Sequence, residues 1–306
     1  MQRLAPVLAA ALLAGAGAAA PPAGPPASAA DDAAKALAAA RSGDMGPSAE
    51  LARLGPSAVP GLAPFLSDAS EDVRMQGVAV LREIGGTAAV PLLVTALGDA
   101  SLEVRERAAS ALWDRCDPGA VAAAAGAEAG LRALVEEETS AAGAYLLLGR
   151  CREPASRGAL ARAAGRKAPL ARLAPGALPV PAALAARVAL SRLGDRDARA
   201  ALLVWAEEGG APGPPPSERL FVLAVLGEVD DPALLHAVSR ALDDERPVAG
   251  GVPSGASPSR RVCDVAVEAY VARLRLSPGF ALSGARRYDA AERARVKERI
   301  AAALPR

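Results

Sequence analysis

Two seven-residue stretches of this chain are nearly identical and lie thirty-one residues apart. DASEDVR spans residues 68–74, and DASLEVR spans residues 99–105. The same offset relates further pairs on either side of these stretches: Val59-Pro60 with Val90-Pro91, Leu62 with Leu93, Leu66 with Leu97, and Val80-Leu81 with Ala111-Leu112. Self-similarity at a fixed period of this size predicts a stack of repeated structural units.

Each repeat is interpreted as two helices joined by a short turn. We expect Pro60 and Pro91 in the first turn of the first helix, where a missing N–H costs nothing. Ser70 and Ser101 are expected to be N-caps of the second helix. That helix then carries one apolar stripe at helical spacing, formed by Val73, Gly77, Val80, Leu81 and Ile84. The pattern therefore predicts antiparallel helix pairs.

Helices that end in Leu-Gly or Ile-Gly recur along the chain, and each Gly is predicted to be a left-handed C-cap. These glycines are Gly55, Gly85, Gly149, Gly194 and Gly227. Their spacing indicates that the repeats continue to about residue 276 and that one unit is enlarged. We predict an N-terminal helix pair at 31–54, followed by six units numbered in chain order at 56–85, 87–116, 117–150, 154–194, 195–228 and 230–276.

The motif Val-Pro…Leu…Leu…Asp…Val-Arg…Ala-Leu, complete at 59–85 and 90–112, resembles the HEAT-repeat family. It is most similar to the short bacterial repeats related to the HEAT-like repeats of phycobilin lyases. The resemblance implies an all-α fold of the HEAT or armadillo type over residues 30–276. It implies a right-handed superhelical solenoid of about six or seven stacked antiparallel helix pairs.

The resemblance also implies a ladder of polar contacts, in which the turn Asp of one unit bonds the second-helix Arg of its neighbour. The residues that match are Asp68, Arg74, Asp99 and Arg105, and their role is structural. In the sixth unit the alignment places Cys263 at the Arg position. We therefore expect the ladder to be broken there.

Residues 1–29 are interpreted as a secretory signal peptide. Arg3 precedes the apolar run Leu4–Ala14, and Ala27-Ser28-Ala29 has the form that a signal peptidase cleaves. Cleavage is expected after Ala29, with Ala18 as an alternative site and an Ala/Pro-rich tail as the alternative interpretation. No later apolar run reaches the ~20 residues of a membrane-spanning helix. The mature chain is expected in the periplasm or outside the cell.

The composition gives little support to a catalytic or nucleic-acid-binding protein. The formal net charge is +1, so bulk electrostatics does not favour nucleic acid. His236 is the single histidine, which makes zinc or di-iron sites hard to assemble, and the paired His-Glu motifs of deoxyhypusine hydroxylase do not occur. Cys116, Cys151 and Cys263 are expected to be buried core residues. We predict no metal and no cofactor.

Residues 277–306 are predicted to form a basic C-terminal cap with a helix over Asp289–Leu304. Residues 273–306 contain nine Lys or Arg and three acidic residues. One interpretation is a solvated helix whose polar outer face closes the solenoid. The other is contact with an acidic partner or an anionic envelope surface.

Three later units replace the short DAS turn with a much longer segment rich in Pro and Gly. These segments are Gly165–Pro181, Gly209–Pro216 and Glu245–Ser259. Equivalent turns of a solenoid stack along one edge, so the three loops should project side by side. They represent either tolerated surface drift or a composite binding edge. The candidate partner-binding residues on that edge are Arg166, Lys167, Arg172 and Arg246.

The predicted function is a non-catalytic interaction scaffold or adaptor of the bacterial periplasm or cell envelope. Such a chain binds another protein through surface area and is expected to be a monomer. The first alternative is a lyase-like enzyme or accessory protein, which would need a deep polar pocket around His236 or Cys263. The second alternative is a purely structural spacer with no partner.

Overall fold

The computed structural model describes residues 29–44, 46–151, 154–166, 169–173, 177–207, 213–248 and 260–304. The predicted signal peptide, apart from Ala29, lies outside the described residues, and so does Lys167. Ala29 is the first residue of the first helix. None of the helices within these ranges is both long and apolar enough to cross a lipid bilayer.

Helix pairs follow one another along the described chain, and each pair contributes one helix to each of two rows. The first row contains α1 (Ala29–Arg41), a 3-10 helix (Gly55–Leu62) continued by α3 (Ala63–Leu66), α5 (Gly86–Ala96), α7 (Pro118–Ala123) with α8 (Ala127–Glu136), α10 (Pro154–Gly165), α12 (Arg196–Glu207), and α14 (Pro232–Val238) continued by a 3-10 helix (Ser239–Asp243). The second row contains α2 (Gly46–Arg53), α4 (Glu71–Ile84), α6 (Leu102–Arg115), α9 (Ala142–Leu148), α11 (Ala182–Arg192), α13 (Pro216–Ala224) with a 3-10 helix (Leu226–Glu228), and α15 (Val262–Leu274).

Helices pack both against the other helix of their own pair, as α10 does against α11, and against the same-row helices of neighbouring units. In the second row, α4 contacts α6, α6 contacts α9, and α9 contacts α11. This arrangement is the all-α solenoid of stacked helix pairs that the repeat predicts. The one sheet of the described residues has two short antiparallel strands, β1 (Leu170–Ala171) and β2 (Val180–Pro181).

The prediction that Pro60 and Pro91 begin their helices is wrong. Pro91 lies inside α5, and Pro60 lies inside the 3-10 helix that precedes α3. Gly85 and Gly86 both take positive φ (63° and 68°), so the chain turns and enters α5 five residues before the proline. A proline inside a helix removes one backbone hydrogen bond, a cost that packing against the neighbouring units must offset.

Ser70 and Ser101 occupy the predicted N-cap positions of α4 and α6, but their hydroxyls make no capping bond. The carboxylate two residues earlier orders the turn instead, because Asp68 accepts a hydrogen bond from the Ser70 amide at 2.9 Å. Asp99 accepts from the Ser101 amide at 2.8 Å in the same way. The turn aspartates therefore order the entry to the second helix.

The glycines that end helices serve two different purposes. Gly55, Gly85 and Gly194 have positive φ, as predicted for C-caps. Gly149 ends α9 with φ −64°, so the prediction of a left-handed cap is wrong there and at Gly227, which lies inside a 3-10 helix. At Gly149 the reason for glycine is space, because an added Cβ would lie 2.6 Å from the Cβ of Ala189.

The middle of the second row is buried along nearly its whole length. All seven residues of α9 and eight of the eleven residues of α11 are buried. Burial on this scale leaves little room for polar side chains, which in these two helices are Tyr145 of α9 and Arg187, Ser191 and Arg192 of α11. The second row therefore offers little surface to a partner at its centre.

The predicted terminal helix is confirmed as α16 (Ala290–Ala303). Asp289 is its N-cap and forms a capping box with Glu292. Val296 and Ile300 are buried, and α16 packs against α15. The helix thus covers the last pair of the solenoid.

Gly149→Ala should lower the free energy of unfolding by about 1–3 kcal/mol, because the new methyl group overpacks the contact with Ala189. Gly227→Ala is the matched control, since an added Cβ there meets nothing within 4 Å. Urea unfolding of both variants measures the difference. Equal stabilities would show that α9 and α11 do not approach as closely as described.

Candidate interaction edge

The turn edge is defined as the side of the solenoid where the first helix of each pair connects to the second. Its described turn residues are 67–70, 97–101, 137–141, 166, 169–173, 177–181, 213–215, 244–248 and 260–261. They include the short DAS turns and the described parts of the three enlarged turns.

The structure brings Arg74 and Asp99 together across neighbouring units. Arg74 Nε donates to one carboxylate oxygen at 2.8 Å, and Nη2 donates to the other at 3.1 Å. The Asp99 side chain is only 8% exposed. The other two predicted ladder residues have different partners, since Asp68 accepts from Arg41 and Arg105 donates to Glu137. Arg41 lies in α1, in the first row, and not in a second-row helix. Glu137 lies at the end of α8 and takes the place of a turn aspartate in the third unit.

An ion pair at the equivalent position lies between the fifth and sixth units, where the sequence comparison missed it, but Arg219 Nε makes no hydrogen bond in it. Arg219 Nε lies 3.3 Å from Asp244, whose side chain is 6% exposed. Arg219 is the fourth residue of α13, as Arg74 is of α4, and each arginine precedes its aspartate by twenty-five residues. That shared separation is the signal that could have found the pair. The fourth residue of α15 is Val265, so the alignment of Cys263 with the Arg position is wrong.

Asp99 and Asp244 both have lowered pKa values although their side chains are mostly buried. Burial alone would raise the pKa of Asp99, but the hydrogen bonds from Arg74 and from the Ser101 amide bring that pKa below its ordinary value. The pKa of Asp244 is likewise lowered, because hydrogen bonds from the Arg246 side chain and amide outweigh the effect of burial. The contacts are therefore ionic at neutral pH.

The fourth-unit turn is fastened to the turn before it through the backbone. Arg172 N donates to Ser140 O at 2.7 Å, and Ala142 N donates to Arg172 O at 2.9 Å. Leu170 pairs with Pro181 and Ala171 pairs with Val180 across the β1–β2 hairpin. Arg172 is exposed, whereas Arg166 is paired with Glu138 at 3.2 Å.

The fifth-unit and sixth-unit turns are also fastened to each other. Arg246 donates two hydrogen bonds to the Asp244 carboxylate, from Nε at 2.9 Å and from Nη2 at 2.7 Å. Its Nη2 also donates to Pro214 O at 2.7 Å. Pro247 and Arg261 form an antiparallel bridge that closes the base of the last loop. Arg246 therefore holds two loops together.

A second set of ion pairs, not predicted from the sequence, lies on the opposite edge. Arg82 donates to Asp114 at 2.5 Å. Glu228, with a side chain 7% exposed, accepts from Arg150 at 2.7 Å and lies 3.6 Å from Arg192. These contacts join the C-terminal ends of the second-row helices. The arginines lie outside the repeat motif, so no consensus position pointed to them.

The basic C-terminal residues are largely engaged inside the molecule. Arg273 donates to Leu226 O, Val229 O and Asp230. Arg293 donates to Glu245 at 2.6 Å, and Lys297 pairs with Asp243. Arg293 and Lys297 therefore fasten α16 to the base of the sixth-unit loop.

The three cysteines are buried, as predicted. His236 is half-buried in α14 and lines neither of two cavities identified in the described residues. The larger cavity is an open groove of about 540 Å³ lined by uncharged residues of α5, α8 and the 124–126 connection. Within the described ranges, no group of three or more His, Cys, Asp or Glu could hold a metal ion.

Asp99→Asn should lower the free energy of unfolding by about 1–3 kcal/mol near neutral pH, because a charged hydrogen-bond acceptor for Arg74 is lost. The folded-state pKa of Asp99 is depressed, so its contribution is present above the ordinary value of 3.8 and is lost as pH falls through the lower folded value. Urea unfolding at neutral and acid pH measures this dependence. Asp72→Asn, at an exposed carboxylate of the same edge, is the control. Similar effects of both substitutions would argue against the ladder.

Comparison with known families finds one match. The model for HEAT repeats matches residues 28–113 and, in a second overlapping match, residues 59–127. These residues contain both DAS turns and the Arg74–Asp99 contact. A search of curated proteins finds no match. The relation to phycobilin lyase repeats stays a prediction. Residues 28–127 of this chain are therefore HEAT repeats, as the sequence motif predicted.

Proposed function

We propose that this protein is a non-catalytic interaction scaffold of the bacterial periplasm or cell envelope and that it binds a partner protein through the turn edge. HEAT repeats commonly serve as protein-interaction scaffolds. The location in the envelope rests on the signal-peptide pattern of residues 1–29.

The observation that carries the proposal is the way the enlarged turns are built. Surface loops that lengthen by drift have no reason to bond one another. Here Arg172 is bonded through its backbone to the preceding turn, and Arg246 joins the last two loops. Each enlarged turn is thus fastened to a neighbouring turn, a property expected of a surface that must present side chains in a fixed arrangement.

The burial of the second row supports the same surface. With α9 and α11 almost completely buried, the centre of that row has little area for a partner. The first-row helices, the turn edge and the opposite edge are the remaining long surfaces. Of these, the turn edge is the one whose elements depart from the repeat.

Shortening two enlarged turns should abolish partner capture and leave the helical fold intact. In this variant, Asn-Gly replaces residues 173–178 and also residues 249–259, since both sites are flanked by paired strands or bridges that a two-residue turn can join. Cross-linking capture from envelope extracts measures binding, and circular dichroism measures folding. A control chain carries Asn-Gly inserted between Gly194 and Asp195 on the opposite edge. Capture that survives shortening would refute the proposal.

Export should remove the segment that ends at Ala29. Expression in a Gram-negative host should yield a mature protein that begins at Ala30, measured by intact mass. Ala29→Leu should block this cleavage, because signal peptidase needs a small residue there, whereas Ala30→Leu should not. An N-terminus at Ala19 that is insensitive to Ala29→Leu would instead place the cleavage after Ala18. Retention of Met1 in the cytoplasm would contradict export.

A further inference from the structure

Strand β1 and the residue after it present an apolar and a cationic side chain side by side. Leu170 is 58% exposed and Arg172 is exposed, whereas Ala171 between them is completely buried. This alternation follows from the strand geometry, in which successive side chains point to opposite faces. Leu170 and Arg172 therefore share the outer face of the hairpin.

The strand that carries these two residues is held from both sides. Leu170 and Ala171 pair with β2, and the Arg172 backbone bonds Ser140 and Ala142. Ala182 N also donates to Pro169 O at 3.0 Å. A partner that binds here meets a preorganised surface, which reduces the entropy lost on association. Because β2 pairs with one side of β1 and the residues at 140–142 bond Arg172 on the other, we expect recognition to use side chains and not the addition of a new strand.

Arg172 differs from the described arginines that contact the end of α8 because it forms no ion pair, and the nearby Glu106 carboxylate accepts hydrogen bonds from Thr139 and Ser140. Three consecutive glutamates at the end of α8 each pair with an arginine, Glu136 with Arg162, Glu137 with Arg105 and Glu138 with Arg166. Among the described residues, no carboxylate pairs with the guanidinium of Arg172. The hairpin thus adds one positive charge next to an exposed leucine, and a carboxylate is its electrostatic complement.

Other large apolar side chains are exposed in the described chain, at Leu54, Leu102, Val204 and Leu282. Exposed apolar residues are common on soluble proteins and indicate nothing by themselves. Leu170 differs because it lies on a paired strand of the turn edge, two residues from a cation without a carboxylate partner.

We propose that Leu170 and Arg172 form a docking site for an extended segment of a partner protein that places an apolar side chain next to a carboxylate. This inference rests on the proposed function of the turn edge and specifies the chemistry of the partner. The apolar side chain packs on Leu170, and the carboxylate accepts hydrogen bonds from Arg172.

A synthetic fluorescein-labelled peptide of alternating Leu and Glu tests the site by fluorescence anisotropy with the full-length mature protein. Arg172→Glu should weaken binding by about tenfold or more and should favour a peptide of alternating Leu and Lys. Leu170→Ser should weaken binding of the peptide of alternating Leu and Glu. A peptide of alternating Ser and Glu should bind the unmodified protein poorly. If Arg172→Glu binds the peptide of alternating Leu and Lys, a merely structural effect of the substitution is excluded.

Two variants of α12 are the matched controls. Val204 is 59% exposed, like Leu170, and Arg196 is an exposed arginine on the same helix. Val204→Ser and Arg196→Glu should leave peptide binding unchanged. Absence of Leu-Glu binding by the unmodified protein, or equal losses in the controls, would overturn the proposal.

Two further outcomes separate this inference from others. Binding to phosphatidylglycerol vesicles that requires Leu170 and Arg172, without peptide binding, would assign the site to a membrane surface and overturn it. If the shortened-turn chain loses partner capture while Leu170→Ser and Arg172→Glu retain it, the turn edge functions as proposed but this docking site is wrong.

Discussion

A helix pair of this chain cannot bury its apolar stripe alone, and the structure depends on the contact between one pair and the next. That contact is built from small residues. Gly149 approaches Ala189 and Gly143 approaches Trp113 so closely that an added Cβ would lie within 2.8 Å of them. Close backbone approach explains how a protein with 3% aromatic residues fills its core.

Polar contacts then set how the units are aligned along both edges. Arg74–Asp99 and Arg219–Asp244 are ion pairs at equivalent positions of the turn edge, although only Arg74 hydrogen-bonds both oxygens of its aspartate. In α9 and α11 the position of the arginine is taken by Tyr145 and Ala185. At that gap the backbone of the fourth-unit hairpin bonds the preceding turn. An enlarged turn thus supplies the connection where the side-chain ladder lacks one.

The repeat unit, the terminal helix and the burial of the cysteines could be predicted because each depends on local pattern. The apolar period and the turn residues lie within thirty residues of one another. The ladder was predicted less well. Arg74 and Asp99 lie in the two copies of the motif, but Arg105 bonds a glutamate, and Arg219 with Asp244 lies beyond the region of clear similarity.

The sequence by itself determined the helix pairs, their stacking and the position of the enlarged turns, because hydrophobic period and turn chemistry are local properties. Only the tertiary structure decided which loops touch, that Arg246 is bound to Asp244 and Pro214, and that Arg172 remains exposed beside Leu170. These features depend on how far each unit is displaced from the next. Close packing of whole helices sets that displacement, and no single repeat encodes it.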